Sequence, residues 1–357
     1  MNRGISKSGS ALPLDVGCSM LTVQCSPTPD SRRPDPGAFA WCLVGPTAVG
    51  KTAVAQVIAE QTGAAVLSAD AMLVYRGMDI GTAKPTHAER NGVRTFGLDL
   101  VDPDQPFSVG AWIAQVRAQL DAGAWFPASA PAPGVLPGPR DLLVAGGTGL
   151  YVRALTTGLE ATASDPDRRQ YWTKRLADEG IEALRRELFS RAPEARDQLD
   201  DPDTPRRVVR ALEHLDACGV LPTGWRAATR PRLVGLRLAR PALHARIAQR
   251  IERMFASGLA DEVAGLRARY PSWTETARQA IGYAEVCDWL DGRLTLDQTK
   301  EQIAVRTRRL AKRQETWFRH QAEMTWIEIA PEETAAAIAA RVLAVWREHG
   351  PTPIRWI

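Results

Sequence analysis

Two groups of residues in this sequence are equipped for chemistry on a phosphorylated substrate. The first is Gly45-Pro46-Thr47-Ala48-Val49-Gly50-Lys51-Thr52, a complete phosphate-loop pattern. Successive backbone N–H groups in such a loop form an anion nest at a helix N-terminus, Lys51 adds a point charge for phosphate oxygens, and the Thr52 hydroxyl is a ligand for Mg²⁺. The loop does not say which ester it holds, because ATP, GTP and a plain diphosphate offer the same oxygens. The second is Asp70, at the end of a short apolar run. A carboxylate there suits either a Mg²⁺ site or a general base beside the phosphates, and a helix cap is the competing use.

These groups need a scaffold that brings strand ends together. Ala38 to Val44 reads as a short apolar strand running into the loop, followed by an apolar-periodic helix to about Gln61. Ala64 to Ser68 reads as a second strand, ending at Asp70, and Asp141 to Ala145 as a third, ending at Gly146-Gly147-Thr148-Gly149. Strands alternating with helices predict an α/β fold: a parallel sheet of the P-loop NTPase-like kind, with a mostly helical insertion. Residues 39–157 and 224–330 are expected to form that core, with a returning strand at Arg232 to Leu238 and helices near 241–256, 259–269, 276–290 and 297–320. Residues 158–223, Arg-rich and broken by prolines, are the expected insertion, and 331–357 a C-terminal helix and tail.

Residues 1–38 are rich in Ser, Pro and Gly and read as a disordered leader; the Pro-rich stretch 123–140 reads as a surface loop. The 357 residues carry a formal net charge of +4, with 45% hydrophobic content and no apolar run long enough to span a membrane. Five cysteines without CxxC spacing argue against a zinc ribbon or disulfide scaffold and point to a reducing, cytoplasmic compartment. A monomer is the default expectation. The positive charge is concentrated between Lys300 and Arg319, where seven basic residues face only Glu301 and Glu315. Such a stretch calls for an anionic partner or extensive solvation.

An ordinary ATPase would also show an apolar strand ending in a metal-binding Asp, and the strand at 141–145 ends in glycines instead. Asp200-Asp201-Pro202-Asp203 is a single copy with the wrong spacing for the Asp-rich motifs of helical prenyl synthases, and reads as a solvated loop.

The phosphate loop together with Asp70-Ala71-Met72-Leu73-Val74-Tyr75-Arg76-Gly77-Met78-Asp79-Ile80-Gly81-Thr82-Ala83-Lys84-Pro85 resembles the tRNA dimethylallyltransferase (tRNA isopentenyltransferase) family. Further matching blocks are Asp102-Pro103 to Phe107-Ser108, Gly146 to Tyr151, Arg207 to Glu213, Gln279 to Tyr283, and Ala311 to Arg319, so the resemblance spans about residues 40–330. It implies transfer of a dimethylallyl group from its diphosphate to N6 of the adenine just 3′ of the anticodon, position 37 of tRNA, with release of diphosphate and with Mg²⁺ as cofactor. By resemblance, Asp70 is the base, with Thr47 beside it. Gly45 to Thr52 and Arg250 hold the diphosphate, and Thr52 holds the metal. The anticodon stem-loop falls to Asp70, Ala71, Met72, Leu73, Thr148, Arg169, Arg206, Arg207, Val208, Val209, Arg210, Gln279, Gly282, Tyr283, Lys312, Arg313, Gln314, Trp317 and Arg319.

This chain departs from the family pattern at Ala71 and Leu73, where Ser and Gln are usual, and at Arg94-Thr95, where a His pair is usual ahead of Asp99. Two other functions compete: an adenylate dimethylallyltransferase acting on free nucleotide, which has no need of the insertion or the basic block, and a phosphate-loop kinase, which needs the missing metal-binding Asp.

Overall fold

The computed structural model describes residues 38–123, 125, 134–158, 165–199, 203–221 and 230–355. Residues 1–37 of the expected leader, half of the Pro-rich stretch and Asp200 to Pro202 lie outside them. The first half of the chain contributes β1 (Phe39–Val44), α1 (Lys51–Thr62), β2 (Ala65–Ser68), α2 (His87–Arg90), β3 (Thr95–Phe96), α3 (Val109–Ala122), β4 (Leu142–Gly146) and α4 (Gly149–Thr157). Four helices follow: α5 (Pro166–Glu179), α6 (Ile181–Arg191), α7 (Ala195–Gln198) and α8 (Pro205–Cys218). The chain then supplies β5 (Arg232–Leu238), α9 (Arg240–Ala256), α10 (Leu259–Arg269), α11 (Glu275–Arg278), α12 (Tyr283–Leu290), α13 (Leu296–Gln321), β6 (Glu323–Ile329), α14 (Ala335–His349) and β7 (Thr352–Pro353).

Six strands run parallel in the order β3-β2-β4-β1-β5-β6, and β7 adds antiparallel to the start of β1. β1 is apolar along its length, with five of its six residues buried, as expected of a central strand covered on both faces. The chain leaves β1 for β2 on one side, returns through β4, and later extends through β5 and β6 on the other. β1 is therefore the switch point, and its carboxyl end is where an open α/β sheet builds a ligand crevice. Gly146 lets β4 end close to β2, since a Cβ there would overlap the Ala69 backbone.

The main core packs helices on both faces of this sheet. On one side α14 covers α1 and β1, with Trp346 against Trp41 at a ring separation of 5.4 Å, a pairing that adds about 0.5–1.5 kcal/mol beyond burial of the rings. α5 to α8 close around a second core of Trp172, Leu184, Leu188, Val208 and Leu212. Val208 and Val209 belong to it, at 0% and 7% exposure.

The expected helix at 276–290 is two helices: Gln279 ends α11, and Gly282, at φ 107°, redirects the chain into α12. The strands β3, β6 and β7 were not expected. The sheet that the first expectation treated as three strands plus a return is thus wider on both edges.

Candidate functional site

The phosphate loop leaves β1 with Gly45 at φ 145°, where a Cβ would come within 2.6 Å of the Leu236 carbonyl on β5. Ala48 (φ 66°) and Gly50 (φ 104°) take left-handed conformations that turn the loop into the start of α1. Alternating handedness of this kind makes successive N–H groups converge into an anion nest. Lys51 reaches back across the loop, its Nζ donating to the Pro46 carbonyl at 2.7 Å. Burial lowers its pKa from 10.5 to about 8, against the opposing pull of the Asp70 charge and with a further push from Arg250. A desolvated ammonium of this kind gains strongly from an anionic ligand.

Arg250, on α9, joins the loop. Its Nη1 donates to Thr47 Oγ1 at 3.3 Å and its Nη2 to the Thr82 carbonyl at 2.9 Å. Among the described residues no carboxylate pairs with it. Burial pushes this guanidinium below its ordinary range, and the Asp70 charge acts in the opposite direction. Asp70, Lys51 and Arg250 thus act on one another electrostatically within one crevice, although 180 residues separate the first from the last.

Asp70 Oδ1 accepts from the Met72 N–H at 2.9 Å, which holds the carboxylate at the end of β2. Thr148 does not cap its own helix. Its Oγ1 accepts from the Ala71 N–H at 2.9 Å and its N–H donates to the Ala69 carbonyl at 3.1 Å, so it ties the β4 end to the segment carrying Asp70. Ala71 and Met72 are partly exposed beside it, whereas Leu73 is only 8% exposed.

α13 lies along the same crevice. Gln314 Oε1 accepts from the Thr47 N–H at 2.8 Å, and its Nε2 sits where a Cβ on Gly147 would be, so this residue clamps the phosphate loop to the β4 turn. The Trp317 indole occupies the space above Gly149, at the start of α4. On the outer face of α13, Arg309, Lys312, Arg313 and Arg319 are exposed, and among the described residues none forms an ion pair. Their spacing puts them within one arc of the helix. The other basic residues of this run are paired: Lys300 with Glu252 at 2.6 Å, Arg308 with Glu301 at 2.8 Å, and Arg306 with Glu285.

The remaining expected contacts divide. Arg206, Arg207 and Gln279 are exposed. Arg169 and Arg210 instead converge on Glu213, which is fully buried: Arg210 Nη1 approaches Oε1 at 2.7 Å and Arg169 Nη2 at 3.1 Å. Gly282 is buried, and Tyr283 is fully buried with its hydroxyl on Glu262 at 2.6 Å.

Sequence reasoning missed Arg246, whose Nη1 donates to the Val49 carbonyl at 3.1 Å and Nη2 to the Pro331 carbonyl at 2.7 Å. Its position four residues before Arg250, on the same helix face, was the available signal. It also missed Glu262, which no local pattern marks.

Among the described residues no group of three or more His, Cys, Asp or Glu side chains forms a metal cage. Thr52 is exposed in the first turn of α1. One hydroxyl in front of an anion nest suits Mg²⁺, which keeps much of its water and takes other oxygens from a substrate phosphate.

The model of the IPP transferase family matches residues 73–321, and that of the isopentenyl transferases matches residues 39–103. A protein of Symbiobacterium thermophilum called tRNA dimethylallyltransferase is 39% identical over 87% of this chain and 95% of its own length. The chain belongs to the IPP transferase family. Among solved structures, the full-length tRNA isopentenylpyrophosphate transferase of Bacillus halodurans aligns with a TM-score of 0.57 at 33% identity, over 87% of this chain and 97% of that one. The tRNA isopentenylpyrophosphate transferase of Staphylococcus epidermidis aligns with a TM-score of 0.58 at 26% identity, over 88% and 100%. The IPP transferase match begins inside the Asp70 segment and runs through α13, so it takes in Thr148, Arg250 and Gln314.

Proposed function

We propose that this IPP transferase moves a dimethylallyl group from dimethylallyl diphosphate to the exocyclic N6 of adenosine 37 in tRNA, next to the anticodon, and releases diphosphate. The observation that carries this reading is the grouping, at the carboxyl end of the sheet, of the Asp70 carboxylate beyond β2 with two half-buried cations at the phosphate loop, Lys51 on the Pro46 carbonyl and Arg250 on the Thr47 hydroxyl. The cations and the loop N–H groups suit a leaving diphosphate; the carboxylate suits an acidic proton.

In the reaction the bond from the allylic carbon to the diphosphate oxygen breaks, and its electron pair leaves with the oxygen. Negative charge builds there, where Lys51, Arg250 and the nest from Gly45 to Thr52 are already oriented, so little reorganisation is needed. Thr47 places its hydroxyl between Arg250 and the loop. The N6 lone pair bonds to the allylic carbon, and the N6 proton passes to Asp70. An exocyclic amine is a poor nucleophile, so this proton transfer must accompany carbon–nitrogen bonding. Magnesium, held by the Thr52 hydroxyl together with diphosphate oxygens, would supply further charge neutralisation at the leaving group.

The adenine must leave its stack in the anticodon loop to meet the allyl carbon. We assign the backbone to the exposed cations Lys312, Arg313 and Arg319 on α13 and to Arg206 and Arg207 on α8, with Trp317, Ala71, Met72 and Thr148 nearer the base. Among the described residues no helix is long and apolar enough to cross a membrane. A monomer working in the cytoplasm is the simplest assembly for this task.

Asp70→Ala tests the assignment. Turnover is expected to fall at least ~10²-fold, the usual contribution of a general base, while tRNA affinity stays within about twofold. Near-normal turnover in that variant removes Asp70 from the proton transfer.

A further inference from the structure

Arg250 owes its position to a loop rather than to a charge partner. The loop runs from Met78 to Lys84, and its Thr82 carbonyl receives Arg250 Nη2 at 2.9 Å. Three consecutive N–H groups just before that carbonyl converge on one side chain. Asp79 and Ile80 donate to Glu262 Oε2 at 3.0 and 2.7 Å, and Gly81 donates to Oε1 at 3.2 Å. The fourth donor is the Tyr283 hydroxyl, on Oε1 at 2.6 Å. The Tyr283 ring lies against the loop so closely that a Cβ on Gly81 would be 2.5 Å from it. Lys84, only 8% exposed, ties the other flank, its Nζ donating to the Tyr75 carbonyl, Asp79 Oδ1 and Asp99 Oδ1, each at 2.6 Å.

The result is a continuous path: Glu262 on α10 and Tyr283 on α12 to the loop, the loop to Arg250 on α9, and Arg250 to Thr47. Neutral oxygens hold the guanidinium, so its charge stays available to a ligand. Had a carboxylate held it, a diphosphate would have had to compete with that carboxylate.

We propose that Glu262 and Tyr283 are positioning residues for the diphosphate site, acting through residues 79–82 to hold Arg250 over the phosphate loop with its charge uncommitted. This rests on the reading of Arg250 as a diphosphate ligand. Glu262→Gln keeps the side-chain length but replaces one acceptor oxygen with an N–H donor facing N–H or O–H groups, so the loop loses part of its anchor. Tyr283→Phe removes a single donor and keeps the ring over Gly81.

The test is calorimetric titration of inorganic pyrophosphate with Mg²⁺ into the full-length protein. Glu262→Gln is expected to raise Kd about tenfold, the lower end for hydrogen bonds to a charged group, and Tyr283→Phe about threefold, since it removes one of four donors and leaves the carboxylate on the loop, with tRNA affinity within about twofold of wild type. In an Arg250→Ala background the Glu262→Gln change is expected to add less than about twofold, because both act through one group. An unchanged pyrophosphate Kd, or a full effect without Arg250, overturns the proposal while leaving the diphosphate reading intact. Failure of the wild-type protein to bind pyrophosphate overturns that reading first and the proposal with it. Should Glu262→Gln fail to fold by circular dichroism, Tyr283→Phe decides alone.

Discussion

Glu213→Gln separates the arginines that build the α5 to α8 unit from those available to an RNA. Glu213 is fully buried; its carboxylate accepts from the Asp165 N–H at 3.0 Å and from Arg169 Nε and Nη2 at 3.1 Å each, and forms an ion pair with Arg210 Nη1 at 2.7 Å. Burial alone would push its pKa up, but Arg210, Arg169 and the Asp165 N–H outweigh it, and the group titrates below its ordinary 4.5. Breaking a buried pair generally costs about 3–5 kcal/mol. The arginine side chains here are 50% and 31% exposed and can recover solvation, so we expect about 2–3 kcal/mol. At 1.36 kcal/mol per tenfold, that is a loss of about 30- to 150-fold in hydrogen-exchange protection of the α5 and α8 amides, with the sheet amides unaffected. Because the folded pKa is depressed, this stabilisation is present above about pH 4.5 and lost as pH falls through the folded value. Unaltered protection in Glu213→Gln, combined with a changed salt dependence of tRNA binding, would refute this reasoning and make Arg169 and Arg210 RNA contacts.

Three further outcomes are expected. Replacing Lys312 and Arg313 with Ala should reduce the slope of log affinity for tRNA against log salt by about 1.4, at about 0.7 per phosphate contact, with pyrophosphate binding unchanged; an unaltered slope would make them solvated charges. Gly149→Ala should destabilise the fold by about 1–3 kcal/mol in urea titrations, because the added methyl overlaps the Trp317 ring and over-packs that contact. Cys42 is 1% exposed and burial pushes its thiol to about 12, so at pH 8 it should resist thiol reagents in the native protein and react after unfolding, as read by mass spectrometry; rapid native labelling would contradict its burial.

The phosphate loop and Asp70 were legible because their signals are local. A buried strand reads as a run of apolar residues, the glycines needed for positive φ are visible, and a parallel sheet collects strand ends on one side. β5 was found at its observed bounds, Arg232–Leu238, for the same reason. The two-residue strands β3 and β7 carry no periodicity, and β6, Glu-Met-Thr-Trp-Ile-Glu-Ile, is an edge strand that among the described residues pairs with β5 alone, so its alternation is weak. The arginines show the deeper limit. Arg207 and Arg210 look alike in sequence, yet one is exposed and the other sits on a buried carboxylate. Nothing in the sequence around Gln314 shows that its side chain accepts from the Thr47 N–H, 267 residues away. Glu262 carries a loop in a part of the chain 181 to 183 residues away, a relation that only the folded structure discloses.

The central claim is tested most directly by incubating the full-length protein with Mg²⁺, radiolabelled dimethylallyl diphosphate and either unmodified tRNA or AMP, and following label into each acceptor. Label is expected in tRNA, and is lost when the adenine beside the anticodon is replaced. Label in AMP alone, or in neither acceptor, would contradict the claim.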